Sequence, residues 1–271
     1  MELPPEPNDS NGQNRSKWWW TRWAVHLVVL GSYPALLGLL SAAEQQGEQD
    51  VLLPRDPVTL LAFMGETMLQ FGMFFGVAWL FSRASKEQLL LLWRGGIAPL
   101  WRGFLYSIAL RLLVMVVGLL VVLVIVIIKG SSVLESIRPP AESVIDPQAL
   151  ATNPLYLILN LTLVSFVLAG FREELWRAGV FAALWALFPK LRATVWGQAL
   201  TVLVVALLFG LGHLPQGWLG VGLTTLLGLA LGAIMVFHRS IWDAAIAHGF
   251  FDATTFLMLY VIAKMGWKLG G

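Results

Sequence analysis

The sequence predicts an all-α polytopic integral membrane protein, with seven or eight transmembrane helices in one bundle. Three observations carry that reading. Of 271 residues, 58% are hydrophobic and 13% charged, against about 25% charged in an ordinary soluble domain, and mean hydropathy is +0.74. The apolar residues form long unbroken runs rather than short alternating segments, which favours helices over a barrel. Those are the two architectures that satisfy every backbone group in lipid. Finally, Trp18, Trp19, Trp20 and Trp23 make an aromatic belt where the chain first enters an apolar run. A net charge of +2 gives no reason to expect nucleic acid as a partner. The lack of cysteine excludes disulfides, a Cys nucleophile and thiolate metal sites.

Residues 1–17 are polar and Pro-rich and predict a flexible tail without the pattern of a cleavable signal peptide. The segment 18–129 carries the first spans, at about Trp20–Leu40, Val58–Phe81 and Gly103–Ile128, each near the roughly 20 residues a crossing needs. Between them lie an acidic loop, Glu44–Pro57, and a basic loop, Ser82–Arg102 with Arg83, Lys86, Arg94 and Arg102. Glu66 and Gln70 share a helical face in the second span, and Arg111 lies near enough to the start of the third to snorkel. A polar connector, 130–154, contains Pro139 and Pro140. The stretch Leu155–Phe188 is too long for one ordinary crossing, since about 34 residues of helix reach about 51 Å. It reads as one tilted helix or as two pieces broken near Ala169 and Gly170. Ala193–His213, Trp218–Phe237 and Ile241–Ala263 complete the set. The Lys/Arg bias places the amino terminus in the cytoplasm, as in a bacterial-type inner or plasma membrane. Lys190, Arg192 and Arg239 favour seven spans, and Lys264 and Lys268 favour eight.

Three polar constellations interrupt the apolar second half. The first is Phe171–Gly179, with Arg172, Glu173, Glu174 and Arg177. Each ionisable residue near the bilayer centre costs about 2.5–3.5 kcal/mol, so two carboxylates and one Arg left unpaired cost on the order of 8 kcal/mol. That rivals the stability of a whole domain, roughly 5–15 kcal/mol. Helical spacing lets Glu173 and Glu174 both reach Arg177, so the knot reads either as a self-neutralising ion pair or as a carboxylate suited to general acid–base work. The second is Phe209–His213, whose His213 caps a helix end or faces a helix break set up by Pro215. The third is His248–Asp252, four apart on one face, which satisfy each other or share a metal. Glu173, Glu174, His213, His248 and Asp252 together are ligands suited to zinc and to water activation. His26, His238 and Asp243 read as interfacial.

A Glu-Glu…Arg helix, then Phe-x-x-x-His, then His-x-x-x-Asn/Asp, in that order on separate membrane helices, resembles the CPBP intramembrane protease family. Its members include the type II CAAX prenyl endopeptidases and bacteriocin-processing or immunity proteins. The resemblance covers about Leu155–Ala263 and makes 155–271 the catalytic transmembrane bundle. It implies a hydrolase that cuts a membrane-anchored peptide or protein, including a prenylated one. Glu173 or Glu174 with His213 would activate water, Arg177 would hold the glutamates, and His248 and Asp252 would bind metal or stabilise the oxyanion. It allows a metalloprotease with zinc on His213, His248, Glu173 and Asp252, or a glutamate-dependent enzyme. A non-catalytic scaffold or immunity-like protein on the same fold is the alternative, and a small proton-coupled transporter using Glu66, Glu173 and His213 is a third reading. The chain departs from the family pattern twice. The family carries Glu-Glu-x-x-x-Arg, whereas Arg177 follows Glu174 after two residues, which turns it by about 100° if the glutamates align, the preferred alignment. If the Arg aligns instead, Glu173 takes the second-Glu position and Arg172 the first, which removes the family's usual catalytic acid. Asp252 stands where the prenyl endopeptidases carry Asn, and an ionised Asp accepts hydrogen bonds without donating any. By residue count, His248 enters from the side opposite His213, so convergence requires the chain after His213 to descend into the bilayer.

Overall fold

A computed structural model describes residues 17–44, 51–132 and 144–266. Most of the expected polar tail lies outside the described residues, as do Pro139, Pro140 and Lys268. Within them the chain is helical and contains no strand. The helices are α1 Lys17–Glu44, α2 Pro57–Ser82, α3 Ala98–Lys129, α4 Pro147–Thr152 and α5 Pro154–Leu159, followed by a π segment Asn160–Phe171. Then come α6 Arg172–Leu187, α7 Pro189–Ala193, α8 Val195–Leu211, α9 Gly217–His238 and α10 Trp242–Lys264. Five helical stretches are long and apolar enough to cross a bilayer: α2, α3, Pro154–Leu187, Leu214–His238 and α10. Beside them stand α1, with 28 residues, and the apolar α8, with 17.

Local chemistry sets these boundaries. Asp56 caps α2 by accepting the Thr59 N–H at 2.8 Å and the Thr59 hydroxyl at 3.0 Å, bonds that hold its carboxyl below the usual range. Pro57 follows at the first turn, where a missing N–H costs nothing. Leu155–Phe188 forms one uninterrupted helical stretch, Pro154–Leu187, instead of breaking at Gly170. Its π segment stores the irregularity, with the Ser165 hydroxyl donating to the Asn160 carbonyl five residues back at 2.7 Å. At Gly170 any Cβ would stand 2.5 Å from the Ala245 carbonyl oxygen, and at Gly249 it would strike the Phe166 ring. The two glycines let α10 approach the π segment backbone to backbone, as small residues do in membrane bundles. Wide turns of this kind recur at functional sites.

The core is built around the helices that carry charge. α10 packs on the π segment, α3 and α9, while α1 packs on α2 and α6. Two contacts pin α1 to α6. Pro34 has no N–H, so the Leu30 carbonyl one turn earlier lacks its helical partner. The indole N–H of Trp176 donates to that oxygen at 2.8 Å. The second contact is made by His26, which is fully buried and whose Nε2 lies 3.1 Å from the Gly179 carbonyl. Its Nδ1 lies 2.8 Å from the Ser82 hydroxyl. His26 is therefore a core residue rather than an interfacial one, because α2 and α6 supply partners for its two ring nitrogens.

Three long-range polar contacts also replace expected surface positions. Arg102 belongs to α3 and grips the buried Asp243 through Nε at 2.5 Å and a terminal nitrogen at 3.2 Å. The Tyr106 hydroxyl meets His238 Nε2 at 2.8 Å. Arg111 turns inward and donates to the Phe251 carbonyl and the Thr254 hydroxyl, both at 2.5 Å. The turn between α9 and α10 is covered by the connector between α2 and α3. Ile241 N–H donates to the Leu90 carbonyl at 2.9 Å, Trp242 Nε1 to the Leu91 carbonyl at 3.0 Å and the Ser240 hydroxyl to the Leu92 carbonyl at 3.1 Å. These three bonds fix the start of α10 against the connector between α2 and α3.

Candidate active site

Glu173 and Glu174 open α6 at the end of the π segment, and their different surroundings separate their roles. Glu174 is fully buried. One carboxylate oxygen is ion-paired with Arg177 one turn on, and the other lies 3.1 Å from His248 Nδ1. The short spacing to Arg177 is thus accommodated by an i,i+3 pair. The Arg177 guanidinium is itself buried and lies 4.6 Å from the centre of the Phe209 ring, a cation–π contact in a dry setting. With both oxygens occupied, Glu174 is a fixed anion that orients Arg177 and His248.

Glu173 faces a cavity. Its Oε1 accepts from Arg172 at 2.8 Å, and its Oε2 stands 3.9 Å from His248 Nε2. The cavity, about 120 Å³, is lined by Tyr33 of α1, Arg172, Glu173 and Trp176 of α6, and Phe209 and His213 at the end of α8. One water needs about 10–15 Å³ measured in this way, so there is room for several. His213 sits just past α8, before the short turn Leu214–Gln216 that leads into α9. Its Nδ1 lies 2.8 Å from the Phe209 carbonyl. A carbonyl only accepts, so Nδ1 carries the proton, and in the neutral ring Nε2 keeps its lone pair.

Asp252 lies one turn beyond His248 on α10, and its Oδ2 is 3.7 Å from His248 Nε2. His248 is therefore surrounded by Glu173, Glu174 and Asp252. All six residues singled out in the sequence fall into one connected site: Glu174, Arg177, His248 and Asp252 behind, Glu173 at the junction, and His213 across the cavity. The zinc set fits less well. Among the described residues, no group of three His, Cys, Asp or Glu side chains is arranged to hold a metal ion. Glu174 is spent on Arg177 and His248, and His213 shares the cavity with Glu173 but not with Asp252.

Sequence reasoning missed the contribution of the first half of the chain. Tyr33 reaches the cavity from α1, and Arg111 braces α10 at Phe251 beside Asp252. The clue available for Tyr33 was its neighbour Pro34, an interior helix proline that must expose a carbonyl to some partner.

Comparison with known proteins points to the same part of the chain. Residues 153–254 match the family model described as type II CAAX prenyl endopeptidase Rce1-like, a match consistent with the CPBP family. The matched segment begins at the cap of α5 and ends within α10, so it contains all six site residues and leaves out α1, α2 and α3. No curated protein and no solved structure matches the chain.

Proposed function

We propose that this integral membrane protein is an intramembrane endopeptidase that hydrolyses a peptide bond of a membrane-associated substrate, including a prenylated one, with a water activated by Glu173 and His213. The observation that carries the reading is the division of labour between adjacent glutamates. Glu174 is consumed by Arg177 and His248, whereas Glu173 borders a cavity with His213. A carboxylate held beside the lone pair of a neutral imidazole in a low-dielectric pocket is a competent general base.

In this mechanism water sits between Glu173 and His213 Nε2. Its oxygen attacks the scissile carbonyl carbon as Glu173 takes a proton, and the carbonyl π pair moves to the oxygen. Collapse of the tetrahedral intermediate breaks the C–N bond, and the proton held on Glu173 passes to the leaving amine. His248, oriented by Glu174 and Asp252, supplies positive charge behind the site. Arg177 fixes Glu174, and so acts on the reaction through His248.

In the same reading the five long spans, together with α1 and α8, make seven crossings, with the amino terminus in the cytoplasm of a bacterial-type inner or plasma membrane. A second reading draws on the fully buried Glu174–Arg177 pair, which also suits a non-catalytic scaffold whose charges only lock the bundle. One experiment separates the two. The purified protein in vesicles is offered a library of lipid-anchored fluorogenic peptides, and Glu173→Gln and His213→Ala are compared with wild type. Cleavage that survives both substitutions overturns the mechanism, and absence of cleavage by wild type favours the scaffold.

A further inference from the structure

The donors around the cavity leave one question open: what stabilises the oxygen of the tetrahedral intermediate. The indole N–H of Trp176 is spent on the Leu30 carbonyl, and Nδ1–H of His213 on the Phe209 carbonyl. His248 turns one nitrogen to Glu174 and the other toward the Glu173 and Asp252 carboxylates. An ionised Asp252 only accepts. Two buried groups of the lining, the Tyr33 hydroxyl and Nε of Arg172, have no other partner; the Arg172 guanidinium donates to the phenol oxygen, which leaves the Tyr33 O–H without an acceptor. Buried polar groups in native structures are almost always satisfied, and the exceptions call for an explanation.

We propose that Tyr33 is a catalytic residue of this site, its hydroxyl donating a hydrogen bond to the oxyanion formed on the scissile carbonyl. The inference rests on the peptidase reading. Tyr33 is 4% exposed, and its ring packs against Phe71 and Phe74 of α2, with centroids 5.5 and 5.3 Å away. The Leu30–Trp176 bond, one turn earlier on α1, ties that helix to the one that carries Glu173. Tyr33 is thus held by rigid elements in the wall of the cavity that Glu173 borders, as preorganised oxyanion donors are. When water adds to the carbonyl, the electron pair displaced onto oxygen accepts the Tyr33 hydrogen bond. The phenol keeps its proton throughout, so the proton balance between water, Glu173 and the leaving amine is unchanged. This assigns an essential group to α1, outside the segment that matches the family model.

The test is Tyr33→Phe in the full-length protein in vesicles, which keeps the ring packing and removes only the hydroxyl. Wild type, Tyr33→Phe and Glu173→Gln are compared on a peptide that wild type cleaves, and on a phosphinate analogue of that peptide, whose tetrahedral anion mimics the intermediate. The expected result is a fall in kcat of about 10²-fold or more, KM within about twofold, and phosphinate affinity weakened while affinity for the parent peptide is kept. Unchanged phosphinate affinity overturns the assignment whatever kcat does. If Tyr33→Phe keeps wild-type kcat while Glu173→Gln is inactive, the peptidase reading stands and the Tyr33 role falls. If Glu173→Gln is as active as wild type, the peptidase mechanism falls first and takes the Tyr33 role with it.

Discussion

Two long apolar stretches of this molecule have opposite fates. In α3, the most apolar window has a mean hydropathy of 3.3 and none of it is buried in the protein. In Pro154–Leu187 the corresponding values are 1.9 and 39%. The more hydrophobic stretch is the one left to lipid, and the more polar one is drawn inside. In water the order would be reversed. In a bilayer, lipid tails solvate Leu as well as a neighbouring helix does, so apolar area alone drives no packing. Charge does, because every ion in α6 needs a counter-ion or donor that only another helix can supply. The contrast teaches that the bundle is organised by its polar minority.

The sharpest test of that contrast is catalytic. Glu173→Gln preserves volume and removes the proposed base. It is expected to lower kcat by about 10²–10⁴-fold with the unfolding midpoint little changed, because Glu173 keeps partial access to the cavity. A matched Glu174→Gln is expected to cost stability as well, since it leaves the buried Arg177 without its anion. If the two variants behave alike, the division between the neighbouring glutamates is broken.

Next in size is the buried pair itself. Arg177→Met strands Glu174 in a dry core, and breaking such a pair by removing one partner costs about 3–5 kcal/mol. Reversible unfolding in mixed detergent micelles measures the loss. The double variant Arg177→Met with Glu174→Gln is expected to recover a large part of it, because no uncompensated charge remains. A single variant as stable as wild type would mean that the charges do not hold this region together.

A smaller effect compares one glycine in each stretch. A Cβ on Gly179 would collide with Leu30 Cδ1, whereas one on Gly118 in α3 meets nothing within 4 Å. Gly179→Ala is expected to cost about 1–3 kcal/mol through overpacking. Gly118→Ala is expected to stabilise by about 0.5–1 kcal/mol, because glycine weakens a helix interior. The same unfolding assay reads both, and equal effects in the two helices would erase the difference in packing.

The same physics explains what was legible in the sequence. Spans are local and leave long apolar runs, so α2, α9 and α10 fall within about a residue of their expected limits. The site residues were legible because i,i+3 and i,i+4 spacing places Glu174 with Arg177 and His248 with Asp252 before any tertiary contact is known. What was hidden depends on pairings across the chain. Arg102 with Asp243 and Arg111 with Phe251 are separated by 141 and 140 residues, and nothing in either local pattern names the partner. His26 and Asp243 looked interfacial because residue counting does not reveal the distant partners, Ser82 and Gly179 for one and Arg102 for the other, that bury them.

The smallest expected effect lies on the outer face of α3. Leu119 is 64% exposed, and in the bilayer its neighbours are acyl chains. Truncation to Ala exchanges lipid contact for lipid contact, in the folded bundle and in the separated helix alike, so the transfer term that makes core truncations cost about 2–5 kcal/mol in soluble proteins largely cancels. Leu119→Ala is therefore expected to change stability by less than about 0.5 kcal/mol and to leave the proposed peptidase activity intact. A loss above about 1 kcal/mol would contradict the assignment of this face to lipid, because such a cost needs a packed partner whose contacts the truncation empties. Measuring the variant across a range of protein-to-lipid ratios then distinguishes a second copy of the chain, whose contribution fades on dilution, from a contact within one molecule, whose contribution does not.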